Sequence, residues 1–442
     1  MPSTRLLSSF RVTSAPGGTD RRALAVVTAL FFMWGFLTSL NDVLIPHLKS
    51  IFELNYAEAV LVQVAFFTAY AVFGLPSGRL VEWMGYQRTI VAGLVTMGIG
   101  ALLFIPAADS TSFPLFLCAL IVLAAGITTL QVAANPYVSI LGPPQTASSR
   151  LNLAQAFNSL GTTIAPLLGG WLILSKETKD ITDIRTLSES ALHVYRLQQA
   201  ATVKAPYIWM TCALVALALA IALQRFPRID RTQEYRTQRL LDDSIWRHRN
   251  VVLGIVAIFL YVGAEVSIGS FLINYFNLPD IGGLSSRAAA RFVAFYWGGA
   301  MVGRFVGSAL LQKFRTGTLL GICAIVATSL VVISMASFGH VALWSILMVG
   351  LFNSIMFPSI FTLGIAETGP LTGKASGALV TGIVGGALVP LAEGVLADRI
   401  GIHHAFIIPV LCYVYISYYG FKGSVVIRGD ATTARAMSKT IA

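Results

Sequence analysis

Long apolar runs alternate along the chain with short polar or Gly/Pro-rich breaks. About 20 apolar residues suffice for a helix to cross the hydrocarbon core of a bilayer. On that measure the pattern predicts twelve helical spans, at about 24–47, 58–82, 88–107, 114–141, 151–174, 205–225, 251–277, 288–313, 317–337, 340–366, 374–397 and 403–424. The breaks carry their own signals: Pro106 closes the third span, Gly142-Pro143-Pro144 the fourth, and Asp398-Arg399 the eleventh. The alternating segments of about 10 residues that an outer-membrane barrel requires do not occur. The predicted fold class is an all-α membrane protein.

One long charged segment, Arg225 to Asn250, divides the spans into six and six. The second span, AFFTAYAVFGLPSGRL from Ala65, matches the eighth, AFYWGGAMVGRFVGSA from Ala294, at a constant offset of 229. Pro166-Leu-Leu-Gly-Gly-Trp-Leu in the fifth span echoes Pro390-Leu-Ala-Glu-Gly-Val-Leu in the eleventh at an offset of 224. Two matches at nearly one offset imply two repeats of six helices. The expected organisation is a tail over 1–23, bundles over 24–225 and 251–424, a linker over 226–250 and a second tail over 425–442. Small-xxx-small pairs, Gly74/Gly78 and Gly303/Gly307, predict places where helices approach closely.

Composition sharpens the picture. Residues are 56% hydrophobic and only 12% charged, against about 25% charged in soluble domains, which excludes a soluble enzyme. A net charge of +11 raises nucleic-acid binding, but the clustered basic face that requires is absent. Cys118, Cys212, Cys323 and Cys412 each stand alone in apolar segments and read as free, buried thiols. Most basic residues fall on one side of the membrane in the alternating topology, including Arg79, Arg88, Arg150, the arginines between Arg225 and Arg249, Arg304, Lys313 and Lys374. The positive-inside rule assigns that side, and both termini, to the cytoplasm.

Function is carried by polar groups inside the spans, each costing about 2.5–3.5 kcal/mol at mid-bilayer unless it faces a cavity or a partner. Asp42 lies near the far end of the first span, and Glu265 near the middle of the seventh. Either suits cation coupling; for Asp42 the plainer reading is an interfacial carboxylate, for Glu265 a hydrogen-bonded structural one. Glu393, in the eleventh span, divides equally between such work and bracing a helix. Amides and aromatic residues accompany them: Asn41, Gln63, Tyr70, Gln131, Asn135, Gln155, Asn158, Asn274, Trp297 and Asn353. Side-chain amides offer a donor and an acceptor together, matching vicinal hydroxyls, and aromatic faces suit the apolar side of a sugar ring. Interhelical hydrogen bonding is the competing role for each. Gln131 and Asn135 share one helix face, and Asn135 is placed to satisfy backbone freed by Pro136. The six histidines form no relay or metal triad, and no phosphate-binding loop or hydrolase motif is present. No enzyme, cofactor or resident metal is expected.

The segment Gly78-Arg-Leu-Val-Glu82-Trp-Met-Gly85-Tyr-Gln-Arg88 resembles the loop signature of the major facilitator superfamily, with Glu82 where Asp is usual. LNDVLIPHL (40–48), LQVAANPYVSILGP (130–143), RLNLAQAFNSLG (150–161) and YVGAEVSIGSFLINY (261–275) are similar to the sugar:cation symporters of the fucose permease and glucose/galactose transporter family. The resemblance implies twelve helices in two pseudo-symmetric six-helix bundles around a cavity, alternating access, and a gating role for Gly78, Glu82, Gly85 and Arg88. Asp42 matches the first-span carboxylate of fucose permease-like members, whereas Gln131 replaces their fourth-span Glu and Glu265 replaces a Gln. That exchange is similar to the glucose/galactose branch, which includes proton- and sodium-coupled carriers.

The expectation is a monomeric, multi-pass inner-membrane carrier for a neutral hexose or amino sugar such as glucose, galactose or N-acetylglucosamine. Asp42 and Glu265 are the coupling candidates, with H+ favoured and Na+ near Asp42 as the other ion. Scarcity of buried basic residues argues against an anionic substrate. A proton-coupled exporter of drugs or lipophiles is the alternative, which should show an aromatic- and Met-lined cavity with fewer amides; a sugar receptor without transport is a third.

Overall fold

The structure is a computed structural model that describes residues 20–52, 56–110, 112–172, 189–224 and 244–426, with side chains described over 20–39, 61–110, 112–166, 204–224 and 244–426. The first half contains α1 (Arg21–Phe52), α2 (Tyr56–Asp109), α3 (Phe113–Ile140), α4 (Ala147–Leu172) and α5 (Glu189–Leu223). The second contains α6 (Arg249–Asn277), α7 (Ser286–Lys313), α8 (Thr316–Ala336), α9 (Gly339–Asn353), α10 (Met356–Gly364), α11 (Thr372–Thr381), α12 (Gly385–Ile400), α13 (Ile402–Ala405) and α14 (Ile407–Tyr418).

These helices make twelve spans. Among the described residues, nine stretches are long and apolar enough to cross a membrane by length and composition alone. One of them, Leu61–Asp109, has 49 residues, far more than a bilayer core needs. It breaks at Gly85, whose φ of 81° and ψ of 170° are accessible because glycine lacks a Cβ, and so it serves as the second and third spans. The fifth and eighth spans, α4 and α7, complete the twelve; Gln155, Asn158 and Arg304 dilute their apolar character. The sixth span begins earlier than the sequence suggests: α5 is continuous from Glu189 to Leu223 and runs through Pro206.

Two spans of the second half are broken. α9 and α10 are separated at Ser354–Ile355, and α11 and α12 by a single 3-10 turn, Gly382–Val384. Glycine permits close packing at the second break: a Cβ at Gly382 would meet the Ile255 carbonyl oxygen, and one at Gly385 the Phe259 carbonyl oxygen. Discontinuous helices expose backbone polar groups inside a membrane protein only where protein or a cavity surrounds them. Phe357, Pro358 and Ile383 all lie at or next to these breaks and face the cavity described below.

The halves meet most extensively through two helix pairs, α2 with α11 and α4 with α7. A Cβ at Gly78 would lie 2.7 Å from the Gly373 carbonyl oxygen, and one at Gly74 2.8 Å from that of Gly377. The offsets of 229 and 224 carry the pair Gly78–Gly373 onto Gly307–Ser149. There Ser149 Oγ donates to the Ser308 carbonyl at 2.7 Å, and Ser308 Oγ donates to the Ser149 carbonyl at 3.0 Å. The internal repeat therefore reappears as a pseudo-two-fold relation between the two contacts. All four cysteines are free, but only Cys412 is buried; Cys118 and Cys212 are exposed on outward-facing helix surfaces and Cys323 is half-buried. An apolar neighbourhood in sequence does not distinguish core from lipid-facing positions, because both are apolar.

Candidate functional site

Between the halves lies a cavity of about 170 Å³. From the first half, α1 supplies Trp34, α3 Gln131, and α4 Gln155 and Asn158. From the second, α6 supplies Tyr261, Val262 and Glu265, α7 Arg304, α10 Phe357 and Pro358, and the turn before α12 Ile383. One wall is thus amide-rich and the facing wall carries the charges.

Most of these polar side chains are held by a neighbour on the same helix, on an adjacent helix or in the other half. Tyr261, one turn before Glu265 on α6, donates its hydroxyl to Glu265 Oε1 at 2.7 Å. Arg304 places a terminal nitrogen 3.9 Å from the same oxygen. Its other terminal nitrogen donates to Ser159 Oγ on α4, so this guanidinium spans the two halves. Gln131 Nε2 donates to the buried Tyr70 hydroxyl at 3.1 Å, and Asn158 Nδ2 to the Phe31 carbonyl at 2.9 Å. Close packing of α1 on α4 fixes that wall: a Cβ at Gly35 would collide with the Asn158 carbonyl. Trp34 packs edge-on against Phe31 at a centroid distance of 5.4 Å.

The arginine-rich end of the cavity is sealed. Asn152 Nδ2 donates to the Arg304 carbonyl at 2.6 Å, Ser376 Oγ to the Val132 carbonyl at 2.7 Å, and Ser148 and Thr362 share a 2.6 Å hydroxyl bond. Lys374 Nζ lies 3.3 Å from Glu82 Oε2. Towards the opposite end, the described bonds between the halves are longer: Gln63 Nε2 to the Gly386 carbonyl at 3.4 Å and Thr163 Oγ1 to Met301 Sδ at 3.6 Å.

Of the residues singled out in the sequence, the structure brings Gln131, Gln155, Asn158 and Glu265 to the cavity. None of the other described candidates lines it. Tyr70 stands behind Gln131 as its hydrogen-bond partner. Asn353 is fully buried and donates to the Tyr296 hydroxyl at 2.8 Å. Asn135 is also fully buried, and neither of its amide atoms has a partner, so it does not satisfy the backbone near Pro136. Gln63, Asn274 and Trp297 are exposed, Trp297 lying over Gly269. Asn41 and Asp42 belong to α1, but their side chains lie outside the described residues, so the coupling role and the sodium site suggested near Asp42 do too. Glu393 is fully buried and accepts a hydrogen bond from Ser267 behind α6. Glu82, Gly78 and Gly85 form the contact and the chain break at the sealed end. Among the described residues, no group of three His, Cys, Asp or Glu side chains is placed to hold a metal.

Arg304 was missed. In the sequence it reads as one of the basic residues of the arginine-rich side, since it is followed by Lys313 and Arg315. The helix carries it instead into the cavity wall, where its side chain is 17% exposed. Buried basic charge is therefore present, in balance with Glu265. Trp34, Tyr261 and Phe357 were missed because aromatic residues are common in every span.

The cavity can serve a ligand rich in hydroxyls. Amides and the carboxylate satisfy donors and acceptors together, and the Trp34 ring offers an apolar face. The Major Facilitator Superfamily profile matches residues 26–389. The glucose/galactose transporter of Brucella abortus is 50% identical over 402 residues, covering 91% of this chain and 94% of its own length. The L-fucose-proton symporter of Escherichia coli is 34% identical over 421 residues, covering 92% and 95%. The crystal structure of FucP, the E. coli fucose:proton symporter, in the outward conformation superposes with a TM-score of 0.83 at 33% identity, covering 91% of this chain and 99% of that one. The chain is a multi-pass membrane protein and belongs to the Major Facilitator Superfamily.

Proposed function

We propose that this protein is a cation-coupled carrier that takes up a neutral hexose or amino sugar, such as glucose, galactose or N-acetylglucosamine, by alternating access. The observation that carries this reading is the placement of Glu265 opposite Gln131, Gln155 and Asn158 across a cavity at the junction of the two halves. The half-identity with a glucose/galactose transporter supports the substrate class. An amide- and carboxylate-lined cavity disfavours a carrier of lipophiles.

In this reading the arginine-rich end faces the cytoplasm of a bacterial inner membrane, following the positive-inside rule. Both tails, 1–23 and 425–442, and the linker 226–250 lie on that side, and the bundles 24–225 and 251–424 work as a monomer. The sealed end is then cytoplasmic, and the described conformation is the one that loads from outside. Rocking of the bundles would separate α2 from α11 and α4 from α7 to release the sugar inward. Asp42 carries the coupling proton, with sodium as the second choice of ion, and Glu265 binds sugar hydroxyls and shares the coupling.

The test is uptake of radiolabelled glucose, galactose, fucose, mannose and N-acetylglucosamine into proteoliposomes under an inward proton gradient and, separately, an inward sodium gradient. Accumulation of one sugar under one gradient is expected. Absence of any sugar flux, including counterflow, would refute the reading. Asp42→Asn should abolish accumulation while leaving exchange; accumulation by that variant removes Asp42 from the coupling role.

A further inference from the structure

Arg304 is the single basic side chain lining the described cavity, and its guanidinium is under-used. One terminal nitrogen is bonded to Ser159, the other stands 3.9 Å from Glu265 Oε1, and Nε is buried with no acceptor. At 3.9 Å the two groups attract but do not form a hydrogen bond. Glu265 also has spare capacity, since a carboxylate offers about four acceptor sites and only the Tyr261 hydroxyl is bonded to it within the described structure. A cationic donor and an anionic acceptor therefore border the same cavity, each incompletely satisfied by protein.

The geometry points to Arg304 and Glu265 acting together as a clamp on one sugar hydroxyl. The guanidinium donates to the hydroxyl oxygen, and the hydroxyl donates its hydrogen to the carboxylate. This rests on the sugar-carrier reading and adds to it a residue and a basis of selectivity. Both bonds are charge-assisted, the stronger kind, and a sugar lacking that hydroxyl leaves two buried charged groups poorly paired, which is how a polar site rejects a deoxy analogue. The two charges also offset each other, so a neutral ligand is preferred. A sugar acid brings a carboxylate against Glu265 and is excluded. Neutralising Glu265 leaves an uncompensated guanidinium in the cavity, and the preference turns toward anionic sugars.

The competing role for Arg304 is a strut between the halves through Ser159. Isothermal titration of the purified full-length protein with the best-bound of the five sugars above, its monodeoxy analogues and its hexuronate separates the two. One deoxy position should cost the wild type 10-fold or more in affinity, and that cost should vanish in Arg304→Gln. Ser159→Ala, which removes only the strut, should bind the sugar within about threefold of wild type. Glu265→Gln should gain measurable hexuronate binding. The clamp is overturned if every deoxy analogue keeps its relative affinity in Arg304→Gln, or if Ser159→Ala loses as much affinity as Arg304→Gln. Should Arg304→Gln not fold, Glu265→Gln decides: hexuronate binding upholds the clamp and its absence overturns it. A wild-type protein that binds none of the five sugars refutes the sugar-carrier reading itself, a different result from a flat deoxy series.

Discussion

Glu82 on α2 and Lys374 on α11 face each other across the two halves, Oε2 to Nζ at 3.3 Å, directly beside the backbone contact of Gly78 with Gly373. Lys374 is 43% exposed, so solvent screens the pair and its net worth is about 0.5 kcal/mol. Removing one charge is a mild change, but reversing it sets like charges at the seam. Glu82→Lys should lower the uptake rate roughly five-fold, and the double exchange Glu82→Lys with Lys374→Glu should restore most of it. Initial-rate uptake in proteoliposomes checks this, and a double exchange no better than the single one would show that the pair does not hold the seam.

The glycine contact is less forgiving, because a backbone carbonyl cannot rotate aside as a side chain does. A Cβ at Gly78 would sit 2.7 Å from the Gly373 oxygen. Gly78→Val should hold that end apart and abolish net transport, while the protein still elutes as a folded species. The readout is a second change, Ser376→Cys, at a residue that is fully buried and bonded to Val132 on the other half. A hydrophilic maleimide should label it rapidly in the Gly78→Val background and slowly otherwise. Equal labelling in both would mean that the seam closes despite the valine.

Gln131 presents a cavity amide whose nitrogen already rests on the Tyr70 hydroxyl. Its remaining oxygen is free to accept from a sugar hydroxyl. Loss of one neutral hydrogen bond is worth about 1 kcal/mol, so Gln131→Ala should raise KM for the sugar about five- to ten-fold. Vmax should stay within about twofold. A fall in Vmax at constant KM would instead place Gln131 in the moving step.

How far this site was legible follows from what a sequence records. Span length and apolar content gave the twelve helices, since the bilayer dictates both, and the repeat offset implied two matching halves; which residues meet across the seam, Gly78 with Gly373 and Ser149 with Ser308, is visible only in the structure. The small-residue pairs Gly74/Gly78 and Gly303/Gly307 marked close contacts, because close approach leaves only small residues tolerable. Helix rotation was not legible. Trp297 and Asn274 share the polar character of Gln155 and Asn158, yet they are exposed while the latter pair line the cavity. An all-apolar span has no polar face to set its phase, so an amide's direction is decided by packing against neighbours. Arg304 shows the same limit for charge: its position in the chain suggested an interface, and the packing of α7 against α4 and α6 carried it inward to Glu265.

Asn353 illustrates how an amide inside a span can be structural. It is fully buried on α9, its nitrogen donates to the Tyr296 hydroxyl on α7 at 2.8 Å, and neither residue lines the cavity. Tyr296→Phe would strand a buried N–H donor, a loss of about 1–3 kcal/mol. Thermal unfolding in detergent should then begin several degrees lower, while KM for the sugar stays within about twofold. Replacing both partners, Tyr296→Phe with Asn353→Leu, removes the amide donor that the single change strands and should recover much of the lost stability. If the single change lowered sugar affinity without lowering thermal stability, the pair would be acting on the cavity rather than on the packing of α7 against α9.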